Sequence, residues 1–188
     1  RYDGRTGLLN RSALMGQLER ALSQFKHQGG QPFALLFLDL DHFKIINDSL
    51  GHLIGDQLLV KIAHVLDRMV AAPDFVARLG GDEFVIFIQS ADPMGQAVAL
   101  AEHICQYLNQ PIDIEDHELV VTASIGISPV NTTYDSALDL LRDADISMYR
   151  AKTNGKNRHE IFVPAMRQGM QKRLNLETDL RRALGRQE

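Results

Sequence analysis

Two apolar runs, residues 75–79 and 84–88, flank Gly80-Gly81 and the acids Asp82 and Glu83. Paired glycines between strand-like runs are a strong hairpin signal, because the tight two-residue turns that match strand twist need positive φ at central positions. The pattern predicts a turn at Gly80-Gly81, with Asp82 and Glu83 at the hairpin tip. A hairpin pairs sequence neighbours antiparallel, so a sheet assembled around it is largely antiparallel. Adjacent acids beside a turn are also ordinary solvated turn residues. Their chemistry therefore depends on what else the fold brings to them.

A second acidic stretch supplies a partner. Phe33–Leu40 reads FALLFLDL, a continuous apolar run of strand length, as expected for a strand covered on both faces. It ends in Asp39-Leu40-Asp41. An acid at a strand end is commonly a turn or cap residue, but two acidic strand ends together suit Mg²⁺. That hard cation takes oxygen ligands and uses one or two carboxylates plus substrate phosphates.

The remaining periodicities predict helices. Leu14, Leu18, Ala21, Leu22 and Phe25 repeat at helical spacing after a start signal at Asn10 or Ser12. Leu58, Leu59, Ile62, Val65, Leu66 and Met69 mark a second helix face, residues 94–108 a third helix and residues 135–152 a fourth. Residues 111–115 and 118–128 read as paired strands around Asp116-His117, with His117 a turn residue. This order predicts an α/β (α+β) sandwich, with a mixed, largely antiparallel central sheet flanked by helices.

Charge narrows the function classes. The formal net charge is −4, but from Arg150 onward ten Lys and Arg face four Asp and Glu, leaving an acidic body. That body argues against nonspecific nucleic-acid binding. No apolar run approaches the roughly 18 residues of a membrane span, and no signal-peptide pattern opens the chain. The single Cys105 lies in a helical pattern and reads as a core thiol.

The segment RLGGDEF, residues 78–84, resembles the signature of the GGDEF family, the diguanylate cyclases. Further family segments occur in order: DHFKIINDSLGHLIGDQLL at 41–59, ADISMYRAKTNGKN at 144–157, and the opening RYDGRTGLLNR. The resemblance implies a palm-like, ferredoxin-related topology shared with nucleotidyl cyclases. The implied reaction condenses two GTP into cyclic di-GMP and two pyrophosphates across an antiparallel homodimer. It further implies Mg²⁺, two ions per active site with Mn²⁺ as an alternative, held by Asp39, the Leu40 carbonyl and Asp82. Glu83 would serve as a further ligand or help activate the attacking hydroxyl. Asn47 and Asp56 would read guanine, a role their donors and acceptors suit. Lys44, Lys152 and Lys156 would contact phosphate, as would backbone amides around His42, Phe43, Gly80 and Gly81. Asn47 is otherwise a turn residue, Asp56 a first-turn helix acid, and Lys152 before Gly155 ordinary helix-end chemistry.

Two departures from the family pattern stand out. Arg5 occupies a position where Leu is usual, an exchange expected to loosen packing of the N-terminal segment without touching the chemistry directly. The family's product-inhibition site uses an arginine where this chain has Ala71, although Asp74 is retained, so that site is expected to be absent. Residues 1–163 are expected to form the domain. Residues 164–188 resemble the helix joining a GGDEF domain to a downstream EAL phosphodiesterase, implying a longer signalling protein with a sensor upstream. GTP supply implies a cytoplasmic location, with no membrane contact by this segment. Two other readings stay open: a GTP-binding regulatory module for a linked EAL domain, and a purely structural dimerisation module.

Overall fold

The computed structural model describes residues 1–184. The first helix, α1 (Arg11–His27), begins where the Asn10 side chain accepts the Ala13 amide at 2.9 Å. Next come β1 (Phe33–Leu40), α2 (Phe43–Leu50), α3 (His52–Arg68), β2 (Phe75–Gly80), β3 (Glu83–Gln89) and α4 (Pro93–Leu108). Then follow β4 (Ile112–Ile114), β5 (His117–Leu119), β6 (Ala123–Pro129), α5 (Ala137–Thr153), β7 (Arg158–Ile161) and α6 (Ala165–Leu184).

The main sheet has the order β2-β3-β1-β6-β7. Every pairing is antiparallel except β6 with β7. Strands β1, β2, β3 and β6, with α2–α3 and α4 in the connections, form the β-α-β-β-α-β arrangement of ferredoxin-like folds. The small β4–β5 hairpin is separate, and β7 extends the edge.

Central β1 explains its own composition. Alternate residues Ala34, Leu36, Leu38 and Leu40 pack with α3 and α4, while Phe33, Leu35 and Phe37 pack with α1 and α5. A strand covered on both faces has no polar side until it ends. Asp39 continues the second series, so strand geometry delivers it to the side of the sheet that α5 covers. The α5 helix lies very close there: a Cβ on Gly126 of β6 would overlap the Ala144 carbonyl oxygen and the Met148 nitrogen.

Five local expectations are corrected. The hairpin turn is Gly81-Asp82, because Gly80 still pairs with Glu83 across a bulge after Arg78. Gly81 takes φ +48° while Asp82 does not take positive φ, as when glycine holds the first central position of a tight turn. The run 118–128 splits, since β5 pairs with β4 whereas β6 enters the main sheet; Val120 between them is exposed. His117 is accordingly a strand residue opposite Ile114, and Glu115-Asp116 forms the turn. Asn47 lies within α2, which stops at Gly51, where φ is +89°, before α3 begins. Asp56 consequently sits in the second turn of α3 rather than its first.

Cys105 is half-buried against the core, and burial pushes its thiol up to about 11. In α6, Arg167 pairs with the fully buried Asp143, which also accepts the Tyr134 hydroxyl at 2.6 Å. Residues 185–188 of the expected linker lie outside the described residues. Among the described residues, no helix is long and apolar enough to cross a membrane.

Candidate active site

The acids foreseen at two strand ends meet. Asp39 and Glu83 are directly opposed in the β1–β3 register, and the Asp82 carbonyl accepts the Leu40 amide at 3.3 Å. Like charges facing each other across a ladder destabilise it. Burial raises the pKa of Asp39, Asp82 and Glu83, and the Asp39 charge raises the last two further. Asp145 on α5 joins the group; its pKa is raised by burial and by Asp39, and it in turn acts on Glu83. These are carboxylates short of positive charge, which is the electrostatic condition of a cation site.

One ammonium enters from α5. Lys152 Nζ lies 2.7 Å from Asp39 and 3.2 Å from Asp41. Burial disfavours its charge, but the two carboxylates prevail and raise its pKa. The Lys152 ammonium is therefore engaged by protein groups, whereas Lys156 sits in the loop after α5 with φ +62° and partial exposure. Lys44, in the first turn of α2, is exposed and only 3.9 Å from Asp48.

Asp41 is a strut that the sequence reading left without a role. Its fully buried carboxylate accepts Thr122 Oγ1 at 2.6 Å, Ser124 Oγ at 2.7 Å and the Asn157 amide at 3.0 Å, besides Lys152. Burial alone would raise its pKa, and these donors outweigh burial and lower it. Asp41 thus ties β1, β6 and the loop after α5 together beneath Asp39.

Arg78 was likewise missed. Buried in β2, it donates to both Asp3 oxygens at 3.0 and 3.2 Å, and to the Gly81 carbonyl at 3.0 and 2.7 Å. The only advance signal was a charged residue inside an apolar strand pattern. Asp145 could have been found as well, since it precedes Lys152 by seven residues and so shares its helix face.

A second locus lies between α2 and α3. Asn47 Oδ1 is buried without a hydrogen-bond partner, pressed against Gly55, where a Cβ would overlap it. An orphaned carboxamide oxygen costs stability, and a ligand donor placed there would satisfy it. Asp56 follows Gly55, and its Oδ1 lies 2.8 Å from Arg5 Nη1. Arg5 thus contacts a residue that the resemblance assigns to guanine. His42 links the two loci in a left-handed conformation (φ 58°, ψ 23°) at the start of α2. Beside it, the Phe43 and Lys44 amides have no intrahelical carbonyl to donate to, whereas those of Ile45 and Ile46 donate to the His42 carbonyl. At the expected inhibition site, Ala71 is exposed and Asp74 accepts the Gln89 amide at 2.8 Å.

Among the described residues, no three acidic, His or Cys side chains form a metal cage by themselves. Mg²⁺ asks less of a protein than a structural ion does, since it binds through one or two carboxylates and completes its shell with phosphates and water.

Residues 1–158 match the family model "Diguanylate cyclase, GGDEF domain". The chain is 41% identical over 187 residues to the bifunctional diguanylate cyclase/cyclic di-GMP phosphodiesterase MucR of Pseudomonas aeruginosa, covering 100% of this chain and 27% of that protein. It is 35% identical over 184 residues to the cyclic di-GMP phosphodiesterase NbdA of the same organism, covering 98% of this chain and 23% of the relative. The chain thus spans about a quarter of the length of these curated relatives. A solved structure of the GGDEF domain of P. aeruginosa TpbB (YfiN) superposes with a TM-score of 0.84 at 35% identity, covering 91% of this chain and 99% of that one. With its acidic hairpin, strand order and near-complete family match in agreement, the chain belongs to the GGDEF domain family.

Proposed function

We propose that this domain is a diguanylate cyclase, condensing two GTP into cyclic di-GMP and two pyrophosphates. The observation that carries the reading is the cluster Asp39, Asp82 and Glu83, brought together at the paired ends of β1 and β3, where a cation would relieve their mutual repulsion. Asp39, the Leu40 carbonyl and Asp82 would hold Mg²⁺, which when bound neutralises phosphate charge and aligns attacking and leaving oxygens. Asn47 and Asp56 would orient guanine, and Lys156 and the α2 amides the phosphates. Lys152 keeps Asp39 in place through their contact at 2.7 Å. Glu83, with its pKa raised by burial and neighbouring acids, is suited to accept the proton of the attacking 3′-hydroxyl.

The nucleophile belongs to a second GTP, so each subunit provides half a site and turnover needs a homodimer. The test is incubation with GTP and Mg²⁺ at high protein concentration, followed by chromatography, with Glu83→Gln alongside. Cyclic di-GMP from the wild type alone, at a rate rising faster than protein concentration, is the expected outcome. GTP binding without product would instead support a second reading: a GTP-binding regulatory module for a linked phosphodiesterase domain. The name of NbdA and the Arg5–Asp56 ion pair favour that alternative.

A further inference from the structure

We infer that Arg5 is a brake on nucleotide binding: the N-terminal segment and the guanine base compete for the Asp56 carboxylate. The inference rests on the reading that Asp56 accepts from guanine. The guanine edge offers two parallel donors, N1–H and the exocyclic amine, and a carboxylate satisfies both by using both oxygens. Arg5 Nη1 already occupies Oδ1 at 2.8 Å. A base seated in two-point fashion shares Oδ1 with Arg5, and the guanidinium competes with it for that oxygen's lone pairs and for the space beside it.

The contact is held in place rather than incidental. Arg5 lies in a turn whose neighbours are pinned: Thr6 is buried, donating to Asp3 Oδ1 through its amide at 2.9 Å and its hydroxyl at 2.7 Å, and Asp3 is held by Arg78. Two polar neighbours of Asp56 on α3 are engaged elsewhere, while His64 lines the same pocket two turns further on. Gln57 donates to Glu115 at 2.7 Å and Lys61 to the Asp113 carbonyl at 2.8 Å. Among the described residues, Arg5 is the cation paired with Asp56. Because the pair is partly exposed, its strength is that of a surface ion pair, and the brake is weak enough for substrate to release. Linkage is reciprocal: whatever draws the N-terminal segment off α3 raises nucleotide affinity, and nucleotide binding frees that segment from α3.

The test is calorimetric titration with a GTP analogue carrying a methylene between the α and β phosphorus atoms, in the presence of Mg²⁺. Arg5→Leu should bind it about two- to five-fold more tightly than wild type. Arg5→Gln, which stays polar but loses the charge, should move the same way. Asp56→Ala should bind about ten-fold or more weakly, and adding Arg5→Leu to it should change nothing further. If Asp56→Ala weakens binding while Arg5→Leu leaves affinity unchanged or lowers it, the brake is overturned and the guanine reading stands. If Arg5→Leu tightens binding and Arg5→Gln does not, competition by charge is overturned. If Asp56→Ala binds like wild type, the guanine reading fails and takes the brake with it.

Discussion

Arg78 clamps Asp3 through one guanidinium nitrogen, 3.0 Å from Oδ1 and 3.2 Å from Oδ2, while its other two nitrogens hold the Gly81 carbonyl. A single buried side chain thereby joins the start of the chain to the turn that carries Asp82. Thr6 and Arg78 together overcome the effect of burial and bring the Asp3 pKa to about 2. A lowered carboxylate pKa stabilises the fold above the unfolded value, and that stability disappears as pH falls through the folded value. Asp3→Asn is expected to cost up to about 2 kcal/mol at pH 7, with the gap from wild type closing between about pH 4 and pH 2. Urea melts across that range measure it.

At the hairpin tip the sign reverses. Asp82 has a raised pKa, so its ionised form is disfavoured in the folded state, and protonation as pH falls through that raised value stabilises the fold. Asp82→Asn should therefore raise stability at pH 7 by about 0.5–1 kcal/mol, roughly 1–4 °C in Tm, while abolishing turnover. Mg²⁺ with GTP should raise the Tm of the wild type more than that of the variant. Thermal scans with and without ligand test both statements.

Two glycines make a discriminating pair. At Gly55, a Cβ would meet the Asn47 carboxamide, a side chain that can rotate away. Gly55→Ala should cost only about 1 kcal/mol yet weaken nucleotide binding about ten-fold. At Gly126 the obstacles include α5 backbone, which cannot yield, and Gly126→Ala should cost about 3 kcal/mol or more. Calorimetry and thermal unfolding separate the two effects.

The helix α6 is expected to be fastened at its start. Asp143 is fully buried and holds both Arg167 and Tyr134. Asp143→Ala should destabilise by about 3 kcal/mol, because it strips both partners at once. Arg167→Ala should speed amide exchange in α6 before it affects exchange in α5. Hydrogen exchange by mass spectrometry reads that order.

Product inhibition supplies a further test. With Ala71 in place of an arginine and Asp74 occupied by the Gln89 amide, cyclic di-GMP should not bind at this position. Adding it should leave the initial rate unchanged, and Asp74→Ala should behave as wild type. Micromolar binding lost on Asp74→Ala would contradict this.

What could be read from the sequence follows from how local each determinant is. The β1 run and the helix starts at Asn10 and residues 93–94 depend on periodicity and capping, which neighbouring residues decide. The β7 strand was not foreseen because RHEI is short and polar; parallel pairing with β6 creates it. The turn was displaced by one residue because a bulge, invisible in composition, kept Gly80 paired. In the site, Asp39, Asp82 and Glu83 were found at strand ends and hairpin tip, where backbone geometry alone brings them together. Asp41, Arg78 and Arg5 were not, since each acquires its role from a partner more than 50 residues away.

The contact at Gly126 determines which wall of the site can be adjusted. With the backbone of α5 seated directly against Gly126 of β6, the helix has no slack to slide or roll, and Lys152 and Asp145 ride on it as on a casting. The opposite wall hangs from a turn secured chiefly by Arg78, a single screw. Changes in catalytic competence would thus be machined into the hairpin and its N-terminal fastening, while the α5 side serves as the fixed datum from which alignment is measured.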